Sequence, residues 1–141
     1  MLRYEQSTVR QKRHGPRFVE LCNFLGLERA FRGQQIVCYH KNWAYFENRF
    51  GVTCVDYVEA KPGIPPTPGH VAGLMDLMRN QGIDVLLAAN YFDPSRVQAV
   101  ARRANATAVR VPLQPGGADA PSYFDLVDIW VRSLAAAFEG G

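Results

Sequence analysis

The chain has 141 residues, 48% of them hydrophobic, which suits one compact domain with a sizeable core. Its formal net charge is +3, but residues 1–17 carry Arg3, Arg10, Lys12, Arg13 and Arg17 against Glu5 alone, and the remainder is close to balanced. The basic character therefore belongs to the N-terminal segment. No broad nucleic-acid footprint follows from it, and no apolar run is long enough to predict a membrane-spanning helix.

Residues 1–15 read as a basic, polar arm, and residues 16–141 as a single lobe. The basic residues of the arm are not followed by an apolar h-region, so no signal peptide is expected within the chain and a cytoplasmic location stays open. Residues 16–31 predict a helix, with Pro16 in the first turn and Phe18, Leu21, Cys22 and Leu25 at helical spacing. After the turn Arg32-Gly33-Gln34, Gln35–Tyr39 predicts the first strand. A helix over about 42–50 is expected to end at Gly51, and Val52–Val58 predicts the second strand.

Ala60–Pro68 holds four prolines and a glycine, a composition that forbids regular structure and stiffens a loop. Thr67 suits the cap of a helix with Pro68 at its first position, its body from His70 to Asn80 on the stripe Val71, Leu74, Met75 and Met78, with Gly82 closing it. Val85–Ala89 is a short apolar strand of the fully buried kind. Asp93-Pro94 starts a helix with Val97, Val100 and Ala101 inward, and Ala108–Pro112 predicts the fourth strand. A Gly/Pro loop over 114–121 leads to a last helix from Ser122 to about Phe138, with Phe124, Val127, Val131 and Leu134 inward and Asp125 in the first turn. The alternation predicts an α/β fold: one three-layer lobe, with a four-stranded, mostly parallel sheet flanked by helices.

Cys22, Cys38 and Cys54 show neither CxxC nor CxxxC spacing. The expectation is three unpaired thiols, with Cys38 and Cys54 as small core residues.

Ligand-capable residues gather after the strands, where open α/β sheets bind their ligands. His40 follows the first strand, and an imidazole there can bind a metal, act as a base or cap a turn. Glu59 follows the second strand and can ligate a metal, orient His40 or pair with Lys61 at the surface. His70 opens the helix after the proline loop, either completing a His40/Glu59/His70 metal cluster or lying exposed. Tyr91 and Phe92 wall the loop after the third strand. Gln114 and Asp119 lie after the fourth, where the glycines carry no phosphate-loop spacing. No nucleophile elbow, zincin or paired-cysteine zinc pattern occurs, so catalysis is not expected. A metal-dependent hydrolase, with water as the ion's last ligand, is the weak alternative.

Tyr39-His40, Trp43, Tyr45-Phe46 and Phe50-Gly51, with Pro62–Pro68 then His70, Tyr91–Pro94 and Ser122–Asp125, form a pattern over residues 17–138. It resembles the second lobe of the solute-binding proteins of zinc/manganese ABC importers, the cluster A-I type. The resemblance implies a periplasmic or otherwise extracytoplasmic protein that holds one ion between two lobes and serves a membrane permease. It implies that two histidines come from the first lobe, that His40 is the second lobe's ligand, and that an aspartate usually follows in the late loop. Gln114 stands there instead, and an amide is a poorer zinc ligand than carboxylate or imidazole. The chain is expected to lack the first lobe, so tight binding of zinc (or manganese) would need that lobe or a second copy of the chain. The contrasting expectation is an α/β interaction domain that no longer binds metal.

Overall fold

Four short runs rich in Val, Ile, Leu and Ala pair into one sheet in the structure, a computed structural model that describes residues 26–140. The strands are β1 (Gln35–Cys38), β2 (Thr53–Tyr57), β3 (Val85–Ala89) and β4 (Thr107–Val111). The helices are α1 (Ala44–Phe50), α2 (Pro68–Gln81), α3 (Pro94–Ala104) and α4 (Tyr123–Glu139). The basic arm and most of the helix expected over 16–31 lie outside the described residues. What is described of that helix tightens into a 3-10 turn at Glu28–Ala30.

All three strand pairings are parallel, in the order β2-β1-β3-β4. Period-two alternation splits each strand between two core layers. Ile36, Cys38, Val85, Leu87, Ala89, Val109 and Val111 point toward α1 and α4. Val37, Tyr39, Leu86 and Ala88 point toward α2 and α3, meeting Leu74, Met78, Val97 and Ala101. β1 and β3 are the inner strands, and β3 is buried at every position, as a strand covered on both faces must be.

The helix ends follow local chemistry. Gly51 closes α1 at φ 72°, a conformation that costs a side chain dearly, and donates its N–H to Glu47 O at 2.9 Å. Thr67 Oγ1 caps α2 by accepting from His70 N, and Asp93 caps α3 by accepting from Ser95 N and Arg96 N. Those bonds, that of the Ser95 hydroxyl foremost, hold the Asp93 carboxyl below the usual carboxylate range. Ser122 and Asp125 form a reciprocal capping box on α4. α2 begins at Pro68 directly after its Thr67 cap, as expected of a proline at a first helical position. On α4, Leu126 takes an inner position while Phe124, in the first turn, remains 40% exposed.

The cysteines differ from the sequence expectation. Cys38 and Cys54 form a disulfide, with Cα atoms 5.6 Å apart. Spacing along the chain did not reveal this because the pairing is made by the sheet. β1 and β2 run side by side, with a register shift between Ile36 and Val37, and both cysteines face the α1–α4 core layer. Closing a loop across 16 positions stabilises a fold by about 3 kcal/mol in the chain-entropy picture.

Two outcomes follow. Reduction of the native protein, or Cys54→Ala, lowers the unfolding free energy by about 3 kcal/mol in urea titrations. Ser122→Ala removes one half of the capping box and costs about 1 kcal/mol in the same assay.

Candidate metal-binding edge

In a sheet ordered β2-β1-β3-β4, the winding reverses between β1 and β3. The crevice outside the carboxyl ends of those two strands is where such folds bind ligands. β1 ends at Cys38, and the chain turns through Tyr39-His40-Lys41-Asn42 before α1, with Asn42 N–H donating to His40 O at 3.0 Å. β3 ends at Ala89 and turns through Asn90-Tyr91-Phe92, with Phe92 N–H donating to Ala89 O. One hydrogen bond spans the crevice: Asn42 Nδ2 donates to the Tyr91 hydroxyl at 2.9 Å. The aromatic sequence Tyr39–Phe92–Tyr91, with centroids 4.4 Å apart at each step, packs beneath it.

His40 lies at this edge, half-buried, its ring 6.3 Å from that of Phe92. Its Nδ1 is buried with no hydrogen-bond partner, which leaves Nε2 as the accessible nitrogen. A buried polar atom without a partner costs about 1–3 kcal/mol, a departure from ordinary packing of the kind that functional sites retain.

His70 is placed by a different device. Its Nε2 donates to the Tyr57 carbonyl at 2.7 Å while its backbone N–H satisfies the Thr67 cap. A histidine that donates one ring N–H to a backbone carbonyl has a fixed tautomer, and its other nitrogen keeps a lone pair. Here that nitrogen is Nδ1.

Glu59 follows β2, its N–H donating to Tyr39 O at 2.8 Å. Burial, and next the negative charge of Glu59, push the Tyr39 phenol above its ordinary pKa. No ion pair joins Glu59 to Lys61 among the described residues.

The three residues thus line the same sheet edge, each held by its own turn. Among the described residues, no group of three or more His, Cys, Asp or Glu side chains gathers closely enough to hold an ion. Gln114 and Asp119 are exposed in the loop after β4. Trp43, at the start of α1, is buried with its Nε1 lacking a partner, and the exposed Tyr45, Tyr123 and Phe124 line one groove with it between α1 and α4. No helix among the described residues is long and apolar enough to cross a membrane.

Comparison with known proteins gives a consistent picture. The high-affinity zinc uptake system protein ZnuA of Brucella abortus is 27% identical over 105 residues, which cover 74% of this chain and 30% of that protein. ZnuA of Brucella suis matches to the same extent. Among solved structures, the Mn2+ complex of the Pseudomonas aeruginosa solute-binding protein FpvC superposes with a TM-score of 0.67 at 17% identity. It covers 92% of this chain and 50% of that one. The Cd-bound periplasmic metal-binding protein of Candidatus Liberibacter asiaticus gives 0.64 at 18% identity, over 82% and 46%. The laminin-binding protein Lbp of Streptococcus pyogenes gives 0.61 at 17%, over 82% and 45%. The chain therefore spans about a third of the curated relatives and half of the structural ones, and the structural likeness speaks to the fold. The family model that matches, periplasmic zinc-uptake complex component A, covers residues 27–137, and the chain belongs to that family.

Proposed function

We propose that this chain is the metal-holding second lobe of a zinc-uptake solute-binding component, and that it binds a divalent cation, zinc before manganese, without catalysing a reaction. The observation that carries the reading is His40. It stands at the winding reversal of a metal-binding family's fold, with Nδ1 buried without a partner and Nε2 left accessible. Imidazole favours zinc, and a site completed mainly by carboxylate oxygens would shift preference toward manganese.

His40 is the primary ligand in this proposal. His70, through Nδ1, and Glu59 are the lobe's secondary donors. A tetrahedral zinc site takes about four ligands, or three and a water. The lobe alone has no ready-made cluster of three among the described residues. The remaining ligands come from a first lobe, or from a second copy of the chain, seated on this sheet edge. The cognate membrane permease is the partner that receives the ion. An extracytoplasmic location agrees with the Cys38–Cys54 disulfide, since such bonds persist in oxidising compartments.

One observation favours a second reading, an interaction lobe that has given up metal: the absence of a gathered ligand set among the described residues. Titration calorimetry with zinc separates the two. The metal reading expects measurable binding, weaker than that of a complete two-lobed protein, that His40→Ala abolishes and that His70→Ala or Glu59→Ala weakens. Removing a single ligand is expected to cost tenfold or more. Heat signals identical in wild type and His40→Ala, or none in either, would sink the metal role of this lobe and leave the interaction reading.

A further inference from the structure

β4 forms one edge of the sheet, and Arg110 is its only charged residue. Period-two alternation sets Arg110 on the face of Ala108, which packs in the α2–α3 layer, while Val109 and Val111 enter the other layer. No carboxylate pairs with this guanidinium among the described residues. It turns onto backbone instead. Its Nη2 donates to Asn90 O at 2.7 Å and to Phe92 O at 3.1 Å. Arg110 stands beside Ala88 in the β3–β4 register, so both carbonyls lie just past the end of β3.

Those carbonyls belong to the turn that forms one wall of the crevice. A carbonyl beyond a strand end has lost its ladder partner and needs another donor, and a charged donor makes the stronger bond. The same turn is tied by Asn90 N–H to Val111 O at 2.8 Å and by Phe92 N–H to Ala89 O at 3.2 Å. What it presents to the crevice reaches the opposite wall. The Phe92 ring lies 4.4 Å from that of Tyr39 and 6.3 Å from that of His40. The Tyr91 hydroxyl accepts from Asn42, whose own N–H donates to His40 O. A continuous set of contacts thus runs from Arg110, past the end of β3, to the turn that carries His40.

We propose that Arg110 is a positioning residue of the crevice. Its clamp on Asn90 O and Phe92 O fixes the turn after β3, and through Phe92 and Tyr91 it fixes the turn of His40 on the far side of β3. It touches no ion. A guanidinium keeps its charge wherever a histidine titrates, so the clamp holds in either protonation state of its neighbours. The effect on metal affinity rests on the metal-holding reading above, whereas the placement of the two turns does not.

In the full chain, Arg110→Met keeps a stem and removes the donors. Amide exchange at Asn90 and Phe92 is expected to quicken about tenfold or more, while Leu86 and Leu87 inside β3 keep their rates. The side-chain amide resonance of Asn42 is expected to move toward its position in Tyr91→Phe, where the bond across the crevice is gone. In zinc titration the dissociation constant is expected to rise about threefold or more, the size of effect a residue exerts on a ligand site through its neighbours. Arg102→Met, which removes an exposed arginine from α3, changes none of these. An Asn42 resonance that stays in place in Arg110→Met overturns the proposal. So does exchange that is unchanged at Asn90 and Phe92, or that quickens equally through the whole sheet, the mark of a general loss of stability. An unchanged zinc affinity, where the wild type binds zinc, overturns it as well. A wild type that takes up no zinc defeats the metal reading instead, and the exchange rates and the Asn42 resonance then decide the clamp alone.

Discussion

The pairing of β1 with two neighbours at once organises this lobe. β1 has only four residues, yet it bonds to β2 on one side and β3 on the other, and every consequential feature lies within a few positions of it. Because it is inner, its side chains must alternate between two core layers, which accounts for the uninterrupted apolar run Ile36-Val37-Cys38. Because β2 lies beside it, Cys38 meets Cys54. Because β3 lies on its other side, the turns that follow the two strands meet at one crevice, with His40 and Asn42 on one wall and Tyr91 and Phe92 on the other. A strand so short is held by its surroundings rather than by its own propensity, and the disulfide adds a covalent tie two residues before His40.

The polar irregularities of the structure lie where ordinary packing would not leave them. His40 Nδ1 and Trp43 Nε1 are both buried without partners, and they flank the same turn. His70, by contrast, has its Nε2, its backbone N–H and its capping threonine all engaged. The edge thus combines one histidine with an unmet hydrogen-bonding group and one oriented by a backbone carbonyl.

Much of the architecture was legible in the chain. The four strands emerge from their apolar runs, and the helix ends from Gly51, Thr67-Pro68, Gly82, Asp93-Pro94 and Ser122, because each of these acts through groups within one turn. Placing His40 and Glu59 just beyond their strands required nothing more than chain order. Legibility failed where the relevant neighbour was distant. The exposure of Phe124 follows from the first turn of α4 opening onto the groove rather than onto the sheet.

By itself, the sequence determined the alternation of strands and helices, the α/β class and the residues that follow each strand, since periodicity, capping and turn chemistry are local. Only the tertiary structure decided the order β2-β1-β3-β4, the pairing of Cys38 with Cys54, the bond between Asn42 and Tyr91, and the groove that Trp43 and Tyr45 share with Tyr123 and Phe124. Those depend on which strands become neighbours. That choice is made by the mutual fit of two core layers across the sheet, a long-range condition that no window of sequence contains.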